Sequence, residues 1–322
     1  MIRRLKAVMP ASMIRTALVT AAALSLSAIG APAYADETLD FENQTAGDDA
    51  DEFEDQTDEG SDFNGVRFGA DLGIYTKSLD IGGVPTDVTV FTPRFDLDIM
   101  FGSFGIGATV PLVNGSVDVD AVGLANASGS NFRTGNPLIR ALVNLDLPLL
   151  DLEASIGATV PLASVPDEGE PLDIAAGAFA LGAAGAMNGA ADIWLFIPDT
   201  FSLVAEAKAS LDVLLFEIRG DAAIAAMIST GDNSDTEIPF RLGLEGLISV
   251  FPFVSAGVRF QSVFLPASDG DKYQASIAPL LEASLGPVSA QASFYFNLDD
   301  PFGFSFDDDG IWGFYFGAGL EL

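Results

Sequence analysis

Apolar and polar residues alternate along most of this chain, and the segment 135–162 shows the pattern most clearly. It contains two alternating runs joined by a short connector. In the first run Ile139 and Val143 lie on one face, whereas Arg140 and Asp146 lie on the other. Because side chains alternate across a β-strand, each run predicts a strand with one apolar face. The connector is too short for anything but an antiparallel hairpin.

The same alternation predicts twelve strands along the chain. The predicted strands are 64–76, 87–101, 104–113, 136–148, 151–163, 202–213, 216–228, 238–250, 253–262, 273–285, 288–298 and 311–322. Their lengths meet the ~9–11 residues that a tilted membrane strand needs. Short and long connectors alternate, as they do when short turns lie on one side of a membrane and long loops on the other. We therefore predict an all-β fold, a transmembrane antiparallel up-and-down β-barrel.

Charged residues in the predicted strands fall on the face opposite the apolar one. They are predicted to line the pore, and they are Arg67, Asp71, Arg94, Asp96, Asp98, Arg140, Asp146, Glu153, Glu206, Lys208, Asp212, Glu217, Arg219, Asp221, Arg241, Glu245, Arg259 and Glu282. A Lys or Arg on the lipid face near the midplane costs ~2–4 kcal/mol, which explains the segregation. Two interpretations stay open. The charges either bias which solutes pass an open lumen, with the acidic excess favouring cations, or fill a closed one with ion pairs.

Residues 164–201 do not follow the alternation. The part from 174 to 187 is rich in Ala and Gly, of which Ala favours a helix and Gly weakens it. One interpretation is a helical plug or lid at the mouth of the barrel. The other is two further strands, at 172–185 and 190–198, which would make fourteen.

Composition narrows the chemistry that such a barrel can carry. The 322 residues include no Cys and no His, and 46 acidic residues stand against 14 basic ones. Without Cys there is no disulfide or thiolate metal site, and without His the commonest general base and metal ligand is missing. A chain this acidic should not bind nucleic acid by bulk attraction. We expect neither a cofactor nor a metal site.

The N-terminal region has the pattern of an export signal. Basic residues are followed by an apolar stretch and by the small-x-small sequence Ala33-Tyr34-Ala35, so residues 1–35 are expected to be a cleaved signal peptide. Residues 36–62 hold thirteen Asp or Glu and no Lys or Arg. A segment of this composition is expected to be a disordered periplasmic tail. The barrel domain is then 63–322.

The chain resembles the class of Gram-negative outer-membrane β-barrels. The resemblance rests on the leader, on the alternating strands and on an aromatic closing strand, 311–322, with the sequence IWGFYFGAGLEL. Closing strands of this class usually end in Phe, whereas this chain ends in Leu322. The resemblance implies a location in the outer membrane, contact with its lipid and lipopolysaccharide, and recognition by the barrel-assembly machinery.

Catalytic motifs are missing from the sequence. It has no G-x-S-x-G elbow, P-loop or G-x-G-x-x-G motif. Outer-membrane phospholipases, lipid A deacylases and omptin proteases rely on a catalytic His, so an enzyme is not expected. We expect a channel or transporter for passive passage of small solutes through a charged lumen. The alternative is a non-conducting barrel with a structural or surface-interaction role.

Overall fold

The structure is a computed structural model of the full chain. It describes residues 65–80, 85–119, 127–147, 150–165, 169–187, 190–231, 236–266, 272–298 and 312–322. The predicted signal peptide and the predicted acidic tail lie outside the described residues.

Fourteen strands and one α-helix make up the described chain. The strands are β1 (Val66–Asp80), β2 (Pro85–Phe101), β3 (Phe104–Val119), β4 (Ala127–Thr134), β5 (Leu138–Leu147), β6 (Leu150–Thr159), β7 (Thr200–Val213), β8 (Phe216–Ser229), β9 (Thr236–Glu237), β10 (Phe240–Phe251), β11 (Val254–Phe264), β12 (Tyr273–Leu285), β13 (Val288–Asn297) and β14 (Trp312–Glu321). The helix is α1 (Pro171–Ala186), and a 3-10 turn follows it at Ile193–Leu195.

Twelve of the strands close into a ring in which all neighbours are antiparallel. The order around the ring is β1, β2, β3, β5, β6, β7, β8, β10, β11, β12, β13 and β14, and β14 pairs with β1. The closing ladder runs from Arg67 opposite Glu321 to Ile74 opposite Phe314. Closure gives the backbone groups of every ring strand a partner on both sides, which a structure surrounded by lipid requires. The predicted twelve-stranded barrel is confirmed.

The two strands outside the ring, β4 and β9, lie just before β5 and β10 in the chain. Each is separated from the following ring strand by a short break. β4 pairs with one half of β3, and β5 then pairs with the other half. β9 likewise pairs with β8 before β10 takes over. Pro137 stands in the first break and Pro239 in the second. Proline has no N–H to donate to the ladder, so each pairing is interrupted at that point.

The predicted strand 104–113 is too short, and the long loop implied between it and the predicted strand 136–148 is wrong. β3 continues to Val119, and β4 returns along it. In this part Val113 and Val117 are buried, whereas Asn114 and Asp118 are exposed. The apolar side chains here face inward because they contact the helix inside the barrel. Alternation therefore persists, but with polar residues outside.

The outer wall of the barrel presents large apolar side chains. Phe104, Ile139, Ile156 and Leu281 are each more than half exposed, and residues of the same kind cover the outer face of the other strands. Phe294, Trp312 and Phe314 form a cluster of aromatic rings with centroids 5.0–5.8 Å apart. Such a surface suits a lipid environment and is far larger than the apolar patches of soluble proteins.

Helix α1 lies inside the barrel, so the plug interpretation of residues 164–201 is confirmed and the two-strand alternative is wrong. Ala176, Ala180 and Ala184 are fully buried against the inner wall. Pro171 starts the helix where no intrahelical N–H bond is needed. A segment inside the barrel must form a helix and must fit a narrow lumen. Ala favours the helix, and its small side chain leaves room for it. Among the described residues, no helix has the length and apolar character needed to cross a membrane.

Replacing Ile156 by Lys should destabilise the barrel in lipid vesicles by ~2–4 kcal/mol, because the ammonium group would face hydrocarbon. The matched control is Ser255→Lys, which places the same group inside the barrel opposite Glu282 and should cost under about 1 kcal/mol. Denaturant titration of vesicle-inserted protein measures both. Equal losses for the two variants would contradict the assignment of the lipid-facing surface.

Candidate functional site

The groups that fill the interior of the barrel change from one end to the other. We call the end that carries the short turns, such as 102–103 and 286–287, the turn end, and the opposite end the loop end. Near the loop end the lumen holds a plug, defined as α1 together with residues 190–198. The middle holds a belt of ion pairs. The turn end holds a vestibule lined by small polar residues.

The plug packs closely against the inner wall at positions where the wall has no side chain. A Cβ atom added at Gly115 of β3 would lie 2.6 Å from Cβ of Ala180. A Cβ atom added at Gly129 of β4 would lie 2.7 Å from Cβ of Leu172. Glycine is required at both places, because the helix approaches the sheet more closely than any side chain would allow.

Hydrogen bonds from Asn136, in the break between β4 and β5, hold the second part of the plug. Its side-chain amide donates to the carbonyls of Trp194, at 3.2 Å, and Ile197, at 2.8 Å. Its side-chain oxygen accepts from the N–H of Ala163 at 2.8 Å, and its own backbone N–H donates to Leu195 at 2.6 Å. A single buried asparagine thus joins the plug to the wall.

One group of ion pairs in the belt crosses the lumen. Arg67 of β1 donates to Glu153 of β6 at 3.1 Å, although the two strands are four positions apart around the ring. Lys208 of β7 reaches the other oxygen of Glu153 at 3.0 Å. Arg67 and Glu153 are both buried. This carboxylate is therefore shared by two cations, one from the neighbouring strand and one from across the lumen.

A second group surrounds β2. Arg94 contacts Asp71 at 2.6 Å and Asp96 at 3.0 Å. Arg140 of β5 contacts Asp98 at 2.9 Å. The guanidinium groups are mostly buried, and a carboxylate with two oxygens suits their planar fork of donors.

A third group joins β8 to β12. Arg219 contacts Glu245 at 3.0 Å and Glu282 at 2.8 Å and also pairs with Glu217. Arg259 pairs with Asp221 and lies 3.5 Å from Glu245. Several carboxylates share each guanidinium, which lessens their mutual repulsion inside the barrel.

The pore-lining residues predicted from the sequence are therefore brought together, with two exceptions. Asp212 lies near the turn end and is exposed. The side chain of Asp146 lies outside the described part of the chain. The others all take part in ion pairs of the belt, but whether they line a conducting pore stays a prediction. Across the described ranges, no cluster of three or more acidic side chains is arranged to hold a metal ion.

The sequence analysis missed Asp192, the acidic residue of the plug that enters the belt. Its carboxylate accepts from Arg94 at 3.3 Å and pairs with Arg241 of β10. Arg241 is also held by Glu206 at 3.1 Å. Asp192 is a lone charge in the apolar stretch 190–197, and this isolation was the signal available in the sequence.

The environment of Asp192 makes its charge costly to keep. Asp192 lies on the plug and not on a membrane-spanning strand. Its pKa is raised, chiefly because burial disfavours the ionised carboxylate, and the carboxylates of Glu206 and Asp221 act in the same direction against Arg241 and Arg94. A buried ion pair with such a desolvation cost contributes little net stability.

The vestibule at the turn end is polar, and it carries charge on the side of β7 and β8, at Asp212 and Glu217. On the side of β10 to β13, four inward-facing serines line it, and all are half-buried or exposed: Ser249, Ser255, Ser284 and Ser289. A cavity of about 30 Å³ beside Ser289 and Gln291 reaches the belt at Arg67 and Glu282. The exposure of inward-facing Ser249 and Asp212 shows that the barrel is open to solvent at this end.

Comparison with known proteins shows the fold. No protein-family model matches the chain, and no curated protein matches it. Among solved structures, the COG4313 outer membrane channel from Pseudomonas putida F1 matches with a TM-score of 0.53 and 10% identity, covering 83% of this chain and 100% of that one. The NanC porin matches with a TM-score of 0.42 and 8% identity, covering 79% and 100%. The transport unit of the autotransporter AIDA-I from Escherichia coli matches with a TM-score of 0.44 and 12% identity, covering 82% and 91%.

The first of these matches shares the outer-membrane barrel fold with this chain. Together with the apolar outer wall, the closed ring of strands identifies the chain as an outer-membrane β-barrel protein, in agreement with the predicted fold class and location.

Replacing Glu153 by Gln should destabilise the barrel by ~3–5 kcal/mol, because Arg67 and Lys208 would lose the buried charge that they share. The exposed carboxylate of Asp118 at the loop end supplies the control, since Asp118→Asn should change stability by less than about 0.5 kcal/mol. The measurement is denaturant unfolding in lipid vesicles. If Glu153→Gln is no more destabilising than the control, the lumen-crossing contact does not hold the barrel together.

Proposed function

We propose that this protein is an outer-membrane channel for small solutes, held closed by its own plug in the conformation described. The observation that carries the proposal is the difference between the two ends of the lumen. The turn end is open and lined by small polar residues, whereas the loop end is closed by a segment of chain that enters from a loop. A barrel with a purely structural role has no need of an open vestibule.

Two features support release of the plug: the small residues on the contact face of α1, and a strand ring that closes without the plug. The helix touches the wall mostly through Ala and Gly, so each contact buries little apolar surface. Asn136 and Asp192 supply its polar links to the wall and belt. Withdrawal would expose Trp194, Leu195 and Phe196, which are buried on the second part of the plug, but it would leave the backbone pairing of the barrel intact. We propose that solutes then pass passively along the belt, without any catalytic step.

One observation favours the alternative, a barrel that conducts nothing. The contact between Arg67 and Glu153 crosses the lumen on the turn-end side of the plug. The contact between Arg219 and Glu282 joins two strands that are three positions apart around the ring. If these ion pairs stay formed, they obstruct the path even when the plug has left. The two functions therefore differ in whether displacement of the plug produces a current.

Replacing Gly115 by Leu should open the channel, because the new side chain would collide with Ala180 and with the carbonyl of Ala176, 2.7 Å from the added Cβ. Overpacking costs roughly 1–3 kcal/mol, which shifts the ratio of undocked to docked plug by about 5- to 150-fold. The time-averaged conductance in planar lipid bilayers should rise accordingly.

Gly246→Leu is the matched control for this variant. Gly246 has nothing within 4 Å of an added Cβ, so the new side chain would enter free space on the outer wall and leave the conductance unchanged. Exposure of Trp194 to a soluble fluorescence quencher reports plug displacement independently. A displaced plug without any current would favour the non-conducting barrel.

A further inference from the structure

Two arginines on separate parts of the barrel wall converge on the carboxylate of Asp192. Arg241 of β10 pairs with one oxygen, and Arg94 of β2 donates to the other at 3.3 Å. The wall supplies both cations, and the plug supplies the anion. The arrangement is that of a receptor for a carboxylate, which is occupied by a residue of the chain itself.

The two arginines are held in place without the plug. Asp71 and Asp96 fix Arg94 at 2.6 and 3.0 Å, and Glu206 fixes Arg241 at 3.1 Å. If the plug withdraws, these contacts remain. The guanidinium groups therefore stay directed into the lumen, and a preorganised site pays less to bind a new partner.

The cavity next to Asp192 is lined on its wall side by four basic side chains. It has a volume of about 40 Å³, and the plug covers it with Asp192, Trp194 and Leu195. The charged wall residues that line it are the cations Arg94, Arg140, Lys208 and Arg241 and the anions Asp96 and Glu206. Four further carboxylates of the belt pair with these cations from outside the cavity: Asp71, Asp98, Glu153 and Asp221. The donors of Arg94 and Arg241 that point at Asp192 lose this partner when the plug leaves, so a new anion can reach them from the lumen.

We propose that Arg94 and Arg241 form a binding site for the carboxylate of small organic acids, and that Asp192 occupies this site as a stand-in when the channel is closed. A solute carboxylate competes with Asp192, so binding of the solute and withdrawal of the plug are coupled. This inference rests on the proposed channel function. It names organic carboxylates as the preferred solutes, which differs from the preference for cations expected from the overall count of acids and bases.

Arg241 also donates to the backbone carbonyl of Ala191, at 3.2 Å, so the plug resembles an organic acid in a second respect. The plug presents a carboxylate and a carbonyl oxygen together, as many small organic acids do. The ring of Trp194 lies under the guanidinium of Arg241, with 5.7 Å from its centre to Cζ, and shields the contact from water.

Acetate is the probe for this site. Its binding to the full chain in lipid nanodiscs can be followed by NMR of 13C-labelled acetate at constant ionic strength. Wild-type protein should bind acetate weakly, because Asp192 occupies the site. Asp192→Asn removes the competing charge at constant size and should tighten acetate binding by about tenfold or more. Adding Arg241→Gln to that variant should abolish the gain.

Glu170→Gln is the matched control, since it removes an exposed carboxylate from the chain just before α1 and should bind acetate as the wild type does. Heat-modifiable migration on gels verifies that each variant has folded. If Arg241→Gln fails to fold, Arg94→Gln replaces it. Equal acetate binding by Asp192→Asn and wild type would overturn the proposed site.

Conductance in sodium acetate and in sodium chloride separates this inference from the channel function. Currents that saturate with acetate in Asp192→Asn support both. Currents without acetate binding overturn the carboxylate site and leave the channel. Acetate binding without current in any variant supports the site but overturns the channel.

Discussion

The closed hydrogen-bonded ring of twelve strands is the constraint on which the rest of this structure depends. In hydrocarbon, an unpaired backbone N–H or carbonyl group costs several kcal/mol, so a sheet that crosses a membrane must close on itself. The pairing of β1 with β14 meets this requirement. Closure also sets the width of the interior. Twelve strands enclose more space than their own inward side chains fill at the loop end, and the chain fills that space with its own helix.

Ring closure also explains the charges. A charged side chain can face only the interior, and there it loses most of its hydration unless it finds an opposite charge. In the belt, one charged group contacts several groups of opposite charge. Glu153 serves Arg67 and Lys208, and Arg219 is shared by several carboxylates. Because several groups of the belt have more than one partner, Asp192 of the plug can join it as a further partner of Arg94 and Arg241.

The errors of the sequence analysis have a common physical origin. Alternation was interpreted with apolar residues outside, which holds only within the lipid. Near the loop end the outer face meets water and the inner face meets the plug, so the polarity of the alternation reverses at Val113 and Val117. The same reversal hid the outer ends of β1, β2 and β3. Asp192 was missed for a related reason, because its stretch has no strand periodicity and its partners lie elsewhere in the chain.

The sequence by itself determined where twelve strands run, the position of their short turns and the direction in which charged residues point, while a count of fourteen strands stayed open. These are local properties, since a strand reveals its two faces within a few residues. Only the tertiary structure decided which charges meet and what fills the lumen. Arg67 and Glu153 are 86 residues apart in the chain, and closure of the ring brings them together. The Ala and Gly content of the plug allowed either a helix or two further strands. It forms a helix because a helix fits the space left inside the closed ring.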